Sequence, residues 1–66
     1  MSAVKIIEVV GGSKKSWEDA INEALERTAK KIRNIKAVDV VKLSTKVENN
    51  KVSEFRADVK IAFLVE

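Results

Sequence analysis

The sequence predicts an α+β fold of βαββ order, with one amphipathic helix packed on a three-stranded antiparallel sheet. Three observations lead there. A β-branched run from Ala3 to Val10 precedes the only segment whose apolar residues recur at three- and four-residue spacing. Two further β-rich segments follow it, and a single Asn-Asn turn signal separates them. No repeat, linker or low-complexity stretch interrupts the 66 residues, so one domain over residues 1–66 is expected.

The first strand, Ala3 to Val10, carries apolar residues on both faces, which implies cover from two sides by the rest of the fold or by a neighbouring subunit. Gly11-Gly12 is expected to close it in a turn. The helix opens at Ser16, whose hydroxyl can cap it, with Glu18 and Asp19 adding negative charge to the first turn. Trp17, Ala20, Ile21, Ala24, Leu25, Thr28, Ile32 and Ile35 form its apolar stripe, and Lys30, Lys31 and Arg33 suit its far end. That pattern predicts about five turns, from Ser16 to about Asn34.

From Ile35 to Val47 the chain is β-like but changes phase. Val38 and Val40 share one parity, whereas Val41, Leu43, Thr45 and Val47 share the other, so a bulge or bend near Val40 is expected. Glu48-Asn49-Asn50-Lys51 reads as a tight hairpin, because Asn tolerates positive φ. The last strand alternates cleanly. Phe55, Ala57, Val59, Ile61, Phe63 and Val65 point one way, and Glu54, Arg56, Asp58 and Lys60 the other.

A chain this short buries only about 60% of the surface its unfolded form exposes. It has no Cys for a disulfide, and without Cys or His it has no ligands for a structural zinc. Association with further copies is the remaining source of buried surface. A helix near 30 Å would leave strands of roughly 40 Å uncovered at their ends, so Val38, Val40, Leu43, Leu64 and Val65 are expected to pair or pack between chains. The net charge of +3, with both signs interspersed, describes a solvated surface better than a nucleic-acid footprint. Lys14-Lys15 and Lys30-Lys31 are isolated doublets, too sparse to track phosphates. No run approaches a membrane span, the N-terminus lacks a signal-like apolar stretch, and a cytoplasmic location is the default expectation.

Catalysis is not expected, because the chain has no His, Cys or Tyr to exchange protons or attack near neutral pH. Glu18, Asp19, Glu23 and Glu26 read as a solvated helix face, and Ser13 and Ser16 as capping residues. The segment Val10 to Ser16 raises the question of a phosphate cradle at a helix start but lacks Walker spacing. Trp17, Phe55 and Phe63 read as core or subunit interface rather than as stacking platforms. A hard cation is the one metal class that the composition allows. Asp39, Glu54 or Asp58, repeated from several chains at a symmetry axis, could hold it, although solvated or ion-paired carboxylates are the plainer reading.

Several segments in this order resemble the dodecins: Val10-Gly11-Gly12-Ser13, Ser16-Trp17-Glu18-Asp19-Ala20, Glu23-Ala24-Leu25-Glu26-Arg27-Thr28, Ile35-Lys36-Ala37-Val38-Asp39-Val40, and Glu54-Phe55-Arg56-Ala57 running on to Phe63. The likeness extends from Val4 to Val65. It implies a hollow homododecamer of cubic symmetry, in which flavin-binding members hold pairs of flavins between subunits for storage or quenching. Where those members stack a Trp on the flavin ring this chain has Ala37, and where a Gln hydrogen-bonds the flavin it has Arg56. Losing an aromatic partner removes about 0.5–1.5 kcal/mol per ring face, so affinity for FMN, FAD or riboflavin should be weak. The resemblance therefore marks Ala37 and Arg56 as candidate residues for a flavin-like or other anionic ligand, and Asp39, two positions after Ala37 in sequence, is a third candidate ligand residue. The Ser-Trp-Glu opening and the Phe-Arg pair are closer to a branch known as calcium dodecins, which implies Ca²⁺ as the alternative. A purely structural or protein-binding shell is the third.

Overall fold

The computed structural model describes residues 3–65. The domain expected over residues 1–66 also takes in Met1, Ser2 and Glu66, which lie outside the described residues. Four elements follow one another: β1 (Ala3–Ser13), α1 (Trp17–Ala29), β2 (Ile35–Glu48) and β3 (Lys51–Val65). The strands form one antiparallel sheet in the order β1-β3-β2, with the cleanly alternating β3 at its centre. This is the βαββ arrangement that the pattern predicts.

The helix start is held by side chains. Ser16 Oγ accepts from the Asp19 backbone N–H at 3.0 Å, and the Asp19 carboxylate turns back to accept from Ser13 Oγ at 2.6 Å. Ser13 Oγ also accepts from the Lys15 N–H at 2.9 Å, tying the end of β1 to the first turn. Gly11 and Gly12 do not form the expected turn. They continue β1 in extended conformation, opposite Ala57 and Arg56, and neither has positive φ. The glycine cradle raised for an anion is therefore not formed. Gly11 serves packing instead. A Cβ there would overlap the Ala20 carbonyl oxygen and lie 2.9 Å from Ala24 Cβ, so only glycine lets α1 sit this close to β1.

The helix is also shorter than expected, ending at Ala29 rather than near Asn34. Ile32 and Ile35 keep the helical spacing, but tertiary contacts decide their fate. The Lys31 and Ile32 N–H groups both donate to Thr28 O, at 3.1 and 3.0 Å, and close the last turn. Asn34 then takes a left-handed φ of 62° and turns the chain into the sheet, where its carbonyl accepts from Leu64 N–H at 3.1 Å and Ile35 pairs with Phe63.

In β2 the register slips between Val40 and Lys42, which places Val41 in a bulge and explains the change of apolar parity there. Further irregularities lie between Ile35 and Ala37 and between Lys46 and Val47. The hairpin closes on the Glu48–Lys51 pair, with Asn49 at φ 53° and Asn50 at φ 62°, the double positive φ of a primed turn.

The core is small. Ala20 and Ala24 of α1 meet Ala57, Val59 and Ile61 of β3, and all five are essentially inaccessible. Ile7, Val9, Ile21, Ile35 and Val38 pack around them. Val38, expected at an interface between chains, belongs to this periphery, while Leu64 is partly buried. Val40, Leu43 and Val65 remain exposed as expected. Thirteen helical residues span about 20 Å, whereas the molecule is 51 Å long, so α1 covers less than half of the sheet.

Candidate ligand-binding face

Side chains alternate along each strand, so the face of the sheet away from α1 is set by parity. On β1 it carries Val4, Ile6, Glu8, Val10 and Gly12; on β3, Leu64, Ala62, Lys60, Asp58, Arg56 and Glu54. The register brings in Ala37 opposite Ala62, Asp39 opposite Lys60, Lys42 opposite Asp58, Ser44 opposite Arg56 and Lys46 opposite Glu54. Two zones result. One end is apolar, with Val4 and Ile6 flanking Ala62 and Leu64, and the rest is a chequerboard of opposite charges.

Ala37, Asp39 and Arg56 all lie on this face, but one chain does not bring them together. Ala37 lies at the apolar end, and Asp39, opposite Lys60, begins the charged zone. Arg56 stands six residues along β3 from Ala62, the partner of Ala37, a separation of about 20 Å at ~3.3 Å per residue. Arg56 is also engaged: its Nε donates to Glu54 Oε1 at 2.7 Å. That contact holds the Glu54 carboxyl below the usual carboxylate range.

The charged zone contains one pair that sequence reading missed. Glu8 sits opposite Lys60, diagonal to Asp58. A hydrogen bond with the Asp58 carboxyl, reinforced by its negative charge, raises the Glu8 pKa above its ordinary value, with Lys60 opposing. Asp58 Oδ1 is buried without a hydrogen-bond partner. Only the β1–β3 register reveals this pair, because Glu8 and Asp58 are fifty residues apart. Among the described residues no group of three carboxylates gathers to hold a metal. Glu54, suggested as a cation ligand, is instead paired with Arg56.

Trp17 packs away from this face. Its Nε1 donates to Ser44 O at 2.9 Å and its ring meets Phe55 edge-on at 5.2 Å, which fastens the helix start to β2 and β3. A cavity of about 260 Å³ lies beside the free edge of β1, lined by Val9 to Gly12 and by Glu23, Ala24 and Arg27. The Arg27–Glu23 pair among its lining residues is 3.4 Å apart. No helix among the described residues is long and apolar enough to cross a membrane.

Comparison with known proteins places this geometry. The calcium dodecin of Mycobacterium tuberculosis is 29% identical over 63 residues, which cover 96% of this chain and 89% of that protein. Its crystal structure, described as having a novel calcium-binding site, superposes with a TM-score of 0.88 at 26% identity, covering 98% of this chain and 93% of that one. An arginine-to-alanine variant of the T. thermophilus dodecin superposes with a TM-score of 0.95 at 27% identity, covering 100% of this chain and 98% of the other. The dodecin family model matches residues 3–66, and with the βαββ fold in agreement, this chain belongs to the dodecin family.

Proposed function

We propose that this chain is one subunit of a closed homododecamer that binds and stores a small ligand between subunits, and that it performs no catalysis. The open face of the sheet carries this reading. Val4, Ile6 and Val10 are 60%, 55% and 64% exposed, while the core among the described residues numbers only five, and further copies of the chain are the natural cover for such a surface. Ala37 and Asp39 of one subunit together with Arg56 of another would line the ligand site, since within one chain Ala37 stands about 20 Å along the strands from Arg56.

A flavin held there would bind weakly, because Ala37 presents no ring face for stacking. Calcium is the second reading, and one observation favours it. Asp58 Oδ1 is a buried acceptor with no donor, beside a Glu8 carboxyl whose pKa the Asp58 carboxyl raises, and a hard cation there would satisfy both groups. The likeness to a calcium dodecin points the same way.

Light scattering on purified protein at micromolar concentration tests the assembly. A particle of about 88 kDa is expected, twelve times the 7.3 kDa chain, and a monomeric mass would overturn the proposal. On the intact particle, a flavin titration that quenches fluorescence favours flavin. A melting temperature raised by calcium, with no response to flavin, favours the cation.

A further inference from the structure

The position of Glu54 bears on which ligands Arg56 can accept. The two residues are two apart on β3 and share the open face, with Arg56 Nε donating to Glu54 Oε1 at 2.7 Å. The neighbouring strand makes room for this contact. Gly12 of β1 stands opposite Arg56, and a Cβ at position 12 would lie 3.2 Å from Glu54 Cδ and 3.3 and 3.5 Å from its carboxylate oxygens. The missing side chain at position 12 thus forms the seat in which the carboxylate lies. From β2, Lys46 stands opposite Glu54, and Lys14 adds a further cation to its surroundings. The Arg56 hydrogen bond, with the charges of Arg56, Lys46 and Lys14, lowers the Glu54 pKa, and its carboxylate acts as a resident anion on Arg56.

We propose that Glu54, seated by Gly12, is a specificity-determining residue: its carboxylate occupies the Arg56 guanidinium and biases the site toward neutral ligands over phosphate-bearing ones. This rests on the reading above that Arg56 borders the ligand site. Both side chains are partly exposed, at 46% and 33%, so the bias is that of a surface pair, up to about five-fold in affinity.

Riboflavin and FMN share one ring system and differ by a phosphate, which makes them the probes. Fluorescence titration of the intact oligomer at low salt should show FMN binding no tighter than riboflavin. Glu54→Gln should tighten FMN by roughly two- to five-fold and leave riboflavin unchanged, and the double variant Glu54→Gln/Arg56→Gln should lose that gain. If both flavins bind and Glu54→Gln leaves their ratio unaltered, or if the gain persists without Arg56, the proposal is overturned while the storage reading stands. If neither flavin binds, the flavin reading is what fails. Inorganic phosphate then decides the matter: the Arg56 Nε–H resonance should respond at lower phosphate concentration in Glu54→Gln than in the parent, and identical titrations would overturn the proposal.

Discussion

The two faces of this sheet are built from the same three strands, yet they are finished differently. Toward the helix, Ala57, Val59 and Ile61 are fully buried. On the opposite side, neighbouring positions of the same ladder leave Val4, Ile6 and Val10 more than half exposed. The covered face is specified by steric fit within the chain, through Gly11 beneath Ala20 and Ala24. The open face is specified by parity and charge order alone, and those define a surface without burying it. A 20 Å helix on a 51 Å molecule cannot do more.

Gly11 and Gly12 offer the sharpest way to break this contrast, because they are adjacent and face opposite sides. Gly11→Val would drive its side chain into the Ala20 carbonyl, a backbone atom with nowhere to go. The expected loss exceeds the ~1–3 kcal/mol usual for overpacking, and folding should fail in a thermal melt followed by circular dichroism. Gly12→Ala meets only the flexible end of Glu54, so it should melt close to the parent. Similar melting temperatures for both variants would show that the helix is not seated on Gly11 at all.

A second substitution separates folding from assembly. Ile6→Asp places a charge in the apolar end of the open face without touching the five core residues. Helical and β signals should persist while the ~88 kDa particle disappears from light scattering, since an unpaired charge buried at an interface costs several kcal/mol. An unchanged mass would mean that this end of the face lies outside every subunit contact.

The same contrast explains what was legible in the sequence. The β3 alternation from Phe55 to Val65, the Asn49-Asn50 turn and the bulge beside Val40 are local patterns, each readable because parity and turn chemistry agree with the final packing. The end of the helix was not legible. Ile32 and Ile35 extend the apolar spacing, and only Asn34 in left-handed conformation, bonded to Leu64, shows where the helix stops. Gly11-Gly12 reads as a turn by composition and becomes strand because α1 must come close, a tertiary demand with no local signature. For the candidate site, the resemblance supplied Ala37 and Arg56, but that they share one face with Asp39 follows only from the strand register. Their separation, and the pairing of Glu8 with Asp58, required the interstrand register, which bulges and irregularities shift in three places along β2.

The smallest expected effect concerns that carboxyl pair, and its sign follows from linkage. The folded chain raises the Glu8 pKa, chiefly through the hydrogen bond with Asp58 and then through the charge of Asp58, while Lys60 opposes. A carboxyl with a raised folded pKa binds its proton more tightly in the folded state. Its contribution to stability is therefore fully present below the unfolded pKa and is lost as pH rises through the folded one. Across the open face, the charged groups of the two adjacent pairs are Lys60 and Asp58 on β3 and Asp39 and Lys42 on β2. Of these, only Asp58 both hydrogen-bonds Glu8 and repels it, so the effect should vanish when either carboxyl is made neutral. Melting temperatures recorded from below pH 4.5, the ordinary Glu value, up to neutrality should fall more for the parent than for Glu8→Gln, with the difference developing above that value. Parallel curves for the two proteins would show that Asp58 does not raise the Glu8 pKa, and would remove the main reason for placing a cation between them.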